Sequence, residues 1–222
     1  HERLVGSEMC IRDSSNRAII GKWHLGHTRK VHYPINRGFS HFYGHLNGAI
    51  DYFDHMREGE LDWHNDWETC YDKGYSTELI TQEAVRCINT YEKEGPFLLY
   101  VAYNAPHTPL QAQEKDIELY CDDFGSLTPK EQKRVTYQAM VSCMDRGIGT
   151  IVDALKKMIQ DHVKYTNSVK GKEVLEHFEE YLLKFKKIIP NDYKRMMNTI
   201  VQMEEKGLSS EQAQIEAFYA NT

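Results

Sequence analysis

The feature of this sequence that most restricts its fold is an unbroken apolar run, Phe97-Leu-Leu-Tyr-Val-Ala-Tyr103, set between Gly95-Pro96 and Asn104. A run of that kind bounded by breakers predicts a strand covered on both faces, as in a parallel sheet. A shorter stretch, Ala18-Ile19-Ile20 closed by Gly21, reads as a second buried strand feeding a loop. Between the two, Ser76 opens a helix with Glu78 in its first turn, and Ile80, Ala84, Cys87, Ile88 and Tyr91 share one face at helical spacing. Thr128-Pro-Lys-Glu131 is a capping box with proline at the first helical position. The helix behind it is expected to run to about Met158, weakened in its middle by Gly147 and Gly149. Strand, helix, strand, loop and helix in this order predict an α/β sheet with crossover helices. Residues 24–75 are dense in Gly, Asn, Asp, His and Tyr without a sustained period, and read as a long irregular region of the functional kind.

Composition removes some classes of function. The net charge is −6, which gives no electrostatic case for a nucleic-acid partner. No stretch reaches the ~18 consecutive apolar residues of a membrane-spanning helix. Five cysteines in 222 residues are too few for a disulfide scaffold and leave at least one unpaired. The first residues, His1-Glu-Arg-Leu4, lack a basic start followed by an apolar run, and the chain does not begin with Met. The expectation is that this is not a natural start, so the missing targeting signal does not bear on location. Beyond about Met158 the sequence turns Lys/Glu-rich. Leu175, Phe178, Leu182 and Phe185 mark one amphipathic helix, Tyr193, Met196, Met197 and Ile200 another, and Ser209-x-x-Gln212 caps a third. A boundary near Met158 followed by an all-helical tail is therefore expected.

Two polar clusters follow the two expected strands, Gly21-Lys22-Trp23-His24-Leu25-Gly26 and Ala105-Pro106-His107-Thr108-Pro109-Leu110. In an open α/β sheet, ligands sit outside the carboxyl ends of the strands. Lys22, His24 and His107 can converge there. A lysine supplies fixed positive charge and a histidine can donate to a leaving-group oxygen, which suits an anionic, oxygen-rich substrate. The competing reading is that His24 and His107 hydrogen-bond backbone in tight turns. His24 and His27 form an H-x-x-H pair near His32, but no cysteine joins them to make a zinc set. No Gly-rich phosphate loop, G-x-S-x-G elbow or H-E-x-x-H motif is present.

These residues carry a family resemblance. Gly21-Lys-Trp-His-Leu-Gly26 is similar to a signature of the sulfatases, and Pro34-x-x-Arg37-Gly38-Phe39 with Phe42-Tyr43-Gly44 resembles their next block. Asp51-Tyr52-Phe53-x-His55 resembles the carbohydrate-type arylsulfatases, such as the N-acetylgalactosamine-4-sulfatase group. Tyr75-Ser-Thr-Glu78, the run 97–103 with its histidine loop, and Tyr137-x-Ala139-Met140-Val141-x-x-Met144-Asp145-x-x-Ile148-Gly149 complete the series over about 16–157. The resemblance implies part of an alkaline-phosphatase-like α/β fold and the hydrolysis of sulfate esters, of a sulfated carbohydrate or aryl sulfate. It also implies a periplasmic, secreted or lysosomal setting. Complete members use a formylglycine nucleophile, made in a C/S-x-P/A-x-R motif, and a calcium ion held by Asp and Asn ligands. On this resemblance Lys22 would touch sulfate and the formylglycine, His24 would orient the formylglycine hydroxyl, and His107 would bind sulfate and protonate the leaving alcohol.

The sequence departs from the family at several points. It contains no C/S-x-P/A-x-R, no early Asp pair before Gly21 and no D-N-G after the long helix. Asp122-Asp123 stands in the wrong place for either metal pair. No metal ligand or cofactor is therefore expected in this chain, and no turnover. From Ile159 to about residue 200, including Glu179-Glu-Tyr-Leu-Leu-Lys-Phe-Lys-Lys-Ile-Ile-Pro190-x-Asp192-Tyr-Lys-Arg195, the sequence resembles the extreme C-terminus of the glutamate synthase large subunit. Val5-Gly-Ser-Glu-Met-Cys-Ile-Arg-Asp-Ser14 resembles the translation of a sequencing-library adapter. The expected organisation is a non-native head at 1–15, a truncated sulfatase-like α/β domain at 16–158 and a helical segment at 159–222. The rival readings are a non-catalytic remnant that binds anions or glycans, and a helical interaction module.

Overall fold

The computed structural model describes residues 14 and 16–184, with positions 199, 202, 203 and 212. Its centre is a sheet whose strands lie in the order β6 (Glu68–Thr69), β5 (His64–Asn65), β2 (His41–His45), β1 (Asn16–Lys22) and β7 (Phe97–Ala102). Strand β1 (Asn16–Lys22) pairs in parallel with both β2 (His41–His45) and β7 (Phe97–Ala102). The short strands β5 (His64–Asn65) and β6 (Glu68–Thr69) extend the sheet antiparallel beyond β2. A separate two-strand hairpin is formed by β3 (Met56–Arg57) and β4 (Glu60–Leu61).

Strand β1 is covered on both faces because its side chains alternate between two apolar clusters. Ala18 and Ile20 face helix α1 (Ser76–Tyr91), where Ile80, Cys87 and Tyr91 meet Phe97, Leu99 and Val101. Ile19 faces the other way, onto Trp23, Phe42 and Leu46, roofed by Tyr33, Ile35 and Phe39. The expected helix face of α1 is buried throughout, at Ile80, Ala84, Cys87, Ile88 and Tyr91. Its cap differs from expectation. Tyr75 is the N-cap, without a side-chain cap bond, and Ser76 is the first helical residue, with its hydroxyl buried and unpartnered.

Three further expectations are corrected. Strand β7 is not covered on both faces. It is the sheet edge among the described residues, and Tyr100 is 52% exposed on the side away from α1. The region 24–75 is not wholly irregular, since His41–His45 forms a buried parallel strand within it. The capping box at Thr128 and Glu131 is present, but helix α3 (Pro129–Thr166) continues past Met158 to a left-handed Asn167 cap. Helix α2 (Glu114–Ile117) precedes it.

In the tail, α4 (Val169–Glu176) and α5 (Phe178–Lys184) are separated at His177, where a single helix was expected. Apart from positions 14, 199 and 212, the helices expected around Tyr193 to Ile200 and after Ser209, Phe185, and the head with Cys10 lie outside the described residues. The chain divides into two units, 1–172 and 173–222.

The two glycines of α3 have opposite surroundings. A Cβ at Gly147 would lie 2.4 Å from Thr81 Oγ1 and 2.8 Å from the Tyr103 hydroxyl. Those two hydroxyls bond each other at 2.7 Å, so Gly147 is what lets α3 close on α1 and the end of β7. A Cβ at Gly149 would meet nothing within 4 Å. Gly149→Ala is therefore expected to stabilise the protein by about 1 kcal/mol through helix propensity. Gly147→Ala should cost about 1–3 kcal/mol through overpacking. Urea midpoints of the two variants check this, and equal shifts of the same sign would contradict the packing described.

Candidate functional site

Strands β1 and β7 run in parallel, with Gly21 opposite Ala102, so Lys22 and the loop from Tyr103 onward leave the sheet at the same carboxyl edge. The pairing of β1 with β2 extends beyond Lys22 through Trp23 N–H to the His45 carbonyl (2.9 Å) and His24 N–H to the Leu46 carbonyl (3.0 Å). All three residues expected to act chemically therefore lie on chain that leaves this edge. Lys22 is half-buried, while His24 and His107 are exposed.

Each has a local reason for its position. His24 has φ 55°, a left-handed conformation uncommon outside glycine. Its imidazole lies where a side chain on Gly48 would be, with Nε2 2.6 Å from the place of an added Cβ. Gly48 is thus the space that His24 occupies. Burial pushes the Lys22 ammonium below the usual lysine value. His107 Nδ1 lies 2.7 Å from the Thr108 carbonyl, which assigns the Nδ1 proton to that bond and leaves Nε2 as the outward nitrogen. The backbone-bonding reading thus describes one nitrogen of His107, Nδ1.

Sequence reasoning missed the residues that hold this edge. The Tyr52 hydroxyl donates to the His107 carbonyl (2.9 Å), and the Tyr75 hydroxyl donates to the Gln111 carbonyl (2.8 Å). Gln111 accepts from the Tyr52 N–H and donates to Asp51. The motif Asp51-Tyr52-Phe53 is therefore a clamp on the histidine loop, a role visible only once the two segments meet. On the other side, Asp62 accepts from the backbone N–H groups of Leu46 (3.0 Å) and Asn47 (2.9 Å), from the Asn47 amide (2.9 Å), and pairs with His64 Nε2 (3.0 Å). Burial would raise the Asp62 carboxyl, but the His64, Leu46 and Asn47 bonds outweigh it and hold the group below its usual value.

Two buried polar side chains at this edge have no hydrogen-bond partner, His45 at both ring nitrogens and Asn104 at both amide atoms. His45 stands opposite Lys22 in the register and stacks on Trp63.

The groups at the edge do not fit a calcium ion. Hard cations need several free oxygens. The groups not already bonded here are an ammonium, imidazoles and the Asn104 amide. The nearby carboxylates are committed: Asp62 as described, and Asp51 to the Phe53 and Asp54 N–H groups and Gln111. The described cysteines, Cys70, Cys87, Cys121 and Cys143, do not lie in a formylglycine motif.

Three parallel strands with a lysine and two histidines on the chain that leaves their carboxyl edge agree with similarity to known proteins. The sulfatase family model matches residues 15–163, and the chain belongs to the sulfatase family. It is 37% identical over 161 residues to arylsulfatase J of Mus musculus, covering 68% of this chain and 25% of that protein. A crystal structure of Ps i-CgsB in complex with k-i-k-neocarrahexaose is 34% identical, with a TM-score of 0.55, over 65% of this chain and 34% of that one. The chain thus spans a quarter of the one relative and a third of the other. It is also 41% identical over 71 residues to the large chain of glutamate synthase [NADPH] of Bacillus subtilis (strain 168), covering 32% of this chain and 5% of that protein.

Burial lowers the His45 imidazole from 6.5 to about 4. A folded-state value below the unfolded one means that the stability is present above pH 6.5 and is lost as pH falls towards 4. Between pH 7 and pH 5 this residue should account for about 2 kcal/mol of lost stability. His45→Phe keeps a ring against Trp63 and removes the unpartnered nitrogens, so it should be near neutral at pH 7 and flatten the acid loss. Urea unfolding of both proteins at the two pH values tests this, and an unchanged pH dependence would contradict it.

Proposed function

We propose that residues 16–158 carry the leaving-group half of a sulfate-ester hydrolase site, built for a sulfated carbohydrate or aryl sulfate. The observation that carries this reading is that Lys22, His24 and His107 leave one sheet edge, within a chain belonging to the sulfatase family. In this reading the Lys22 ammonium neutralises a sulfate oxygen and its partial burial strengthens that attraction. His107, protonated and held by Nδ1 to the Thr108 carbonyl, presents Nε2–H to the bridging oxygen and gives up the proton as the alcohol departs. His24, packed on Gly48, takes a positioning role beside Lys22. The relative crystallised with an oligosaccharide supports a carbohydrate substrate class.

As it stands the chain binds but does not turn over, because this sequence holds neither the formylglycine motif nor a fitting calcium donor set. Residues 159–222 are a distinct segment related to the end of a glutamate synthase large chain, without chemistry of their own. The 41% identity with that enzyme supports this part of the reading. Residues 1–15 are a non-native head. The join this reading puts near Met158 falls inside α3, beyond Gly147, the last buried residue of that helix.

The expected result with p-nitrophenyl sulfate is no hydrolysis above buffer, with or without calcium. Sulfate should still bind, and Lys22→Ala or His107→Ala should weaken it about tenfold, or about 1.4 kcal/mol. Turnover that disappears in His107→Ala would overturn the inactive reading. Sulfate binding indifferent to both substitutions would overturn the site.

A further inference from the structure

Strand β2 has two ends. His45 lies at the sulfate edge, and His41 begins the strand four residues earlier, roughly 13 Å away. Around His41 is a cluster that the sulfatase reading does not use. His41 Nε2 is 2.7 Å from Glu83 Oε1, and Cys87 Sγ is 3.9 Å from the same oxygen. The donor atoms of His41, Glu83 and Cys87 all lie within 4.8 Å of one another.

We propose that His41, Glu83 and Cys87 form a binding site for a borderline-soft divalent cation of the zinc type. The donors are one imidazole nitrogen, one carboxylate oxygen and one sulfur, a set that suits zinc and is poor for magnesium or calcium. A tetrahedral zinc site holds its ligand atoms roughly 3.3–3.5 Å apart, given the usual bond lengths. The observed spacings bracket that range, with the His41–Glu83 pair at 2.7 Å, which a bound cation would part, and the Glu83–Cys87 pair at 3.9 Å. Glu83 and Cys87 are four residues apart on α1 and so share a face. The second shell is also in place. His41 Nδ1 is 2.9 Å from Asp66 Oδ1, and that oxygen also accepts the Phe42 N–H at 2.9 Å. A carboxylate behind the imidazole fixes the ring with Nε2 turned to the metal. A polar cavity of about 660 Å³, lined by His41, Asp66, Glu83 and Arg86, opens onto two of the three ligands, with Cys87 buried behind them.

Arg86 places its guanidinium on the Glu83 oxygens and beside the His41 nitrogen that the cation would take. Its Nη2 and Nε hold the two Glu83 oxygens at 2.6 and 2.7 Å, and Nη2 is 3.4 Å from His41 Nε2. The Arg86 side chain is 53% exposed and can swing outward into solvent. On binding, the metal forms bonds to Nε2, a Glu83 oxygen and Sγ, with water as fourth ligand. The Cys87 thiol proton and any proton on His41 Nε2 pass to solvent, so no oxidant or reductant is required.

Cobalt(II) titration of the full, metal-stripped chain tests the site. One equivalent should produce a thiolate-to-cobalt charge-transfer band and tetrahedral ligand-field bands, and zinc should abolish both. Cys87→Ser should lose the charge-transfer band, His41→Ala should weaken binding at least tenfold, and Arg86→Ala should leave it intact or tighter. Cys70→Ser should match the parent in the cobalt titration, which assigns the thiolate band to Cys87. Absence of the band in the folded parent chain would overturn the proposal. So would a band that persists in Cys87→Ser, or full affinity in a His41→Ala variant with native circular dichroism.

Discussion

The structure depends on how closely β1 approaches its two parallel neighbours at Gly21 and Gly44. Gly21 has φ 108° and Gly44 φ 144°. A Cβ on Gly21 would lie 2.0 Å from the Ala102 carbonyl oxygen, and one on Gly44 would lie 2.1 Å from the Gly21 carbonyl oxygen. No L side chain fits either place. The three strands are drawn together where β1 ends, so Lys22, the 45–47 turn and the histidine loop start from one narrow edge. A side chain at either glycine would force the strands apart and separate the chemical groups.

Around this constraint the protein spends its hydrogen bonds unevenly. The loops are held firmly, by Tyr52, Tyr75 and Gln111 on one side and Asp62 on the other. The buried side chains facing the edge, His45 and Asn104, are left without partners. Leaving a buried polar group unpaired costs about 1–3 kcal/mol. Such sites are where function and stability conflict. The charge balance points the same way, with cationic and imidazole groups at the edge and the nearby carboxylates already engaged.

Much of this was legible in the sequence, for identifiable reasons. The apolar run at 97–103, the triplet at 18–20, the helical face of α1 and the capping box at Thr128 are local signals, and each marks an observed element. The motif around Lys22, His24 and His107 pointed to the family because side-chain chemistry is written directly in residue identity. What escaped depends on partners. His41-Phe-Tyr-Gly-His45 has two histidines and a glycine, so it carries neither alternation nor an apolar run, and becomes a strand only by pairing with β1. An edge strand and a buried strand have the same composition when the covering element is what differs, which is why the run 97–103 reads as covered on both faces while Tyr100 is exposed. Gly147 reads as a helix weakener until Thr81 and Tyr103 are seen against it. His41, Glu83 and Cys87 lie too far apart along the chain for any spacing rule to join them.

The central claim is that Lys22, His24 and His107 form one anion site because β1 and β7 place them at one edge. NMR titration of the isotopically labelled chain with sodium sulfate tests this most directly, at constant ionic strength and pH. The account predicts that the Lys22 and His24 amides and the His107 imidazole shift along a single saturation curve with one dissociation constant. Separate curves, or saturation at Lys22 with a silent His107, would contradict it.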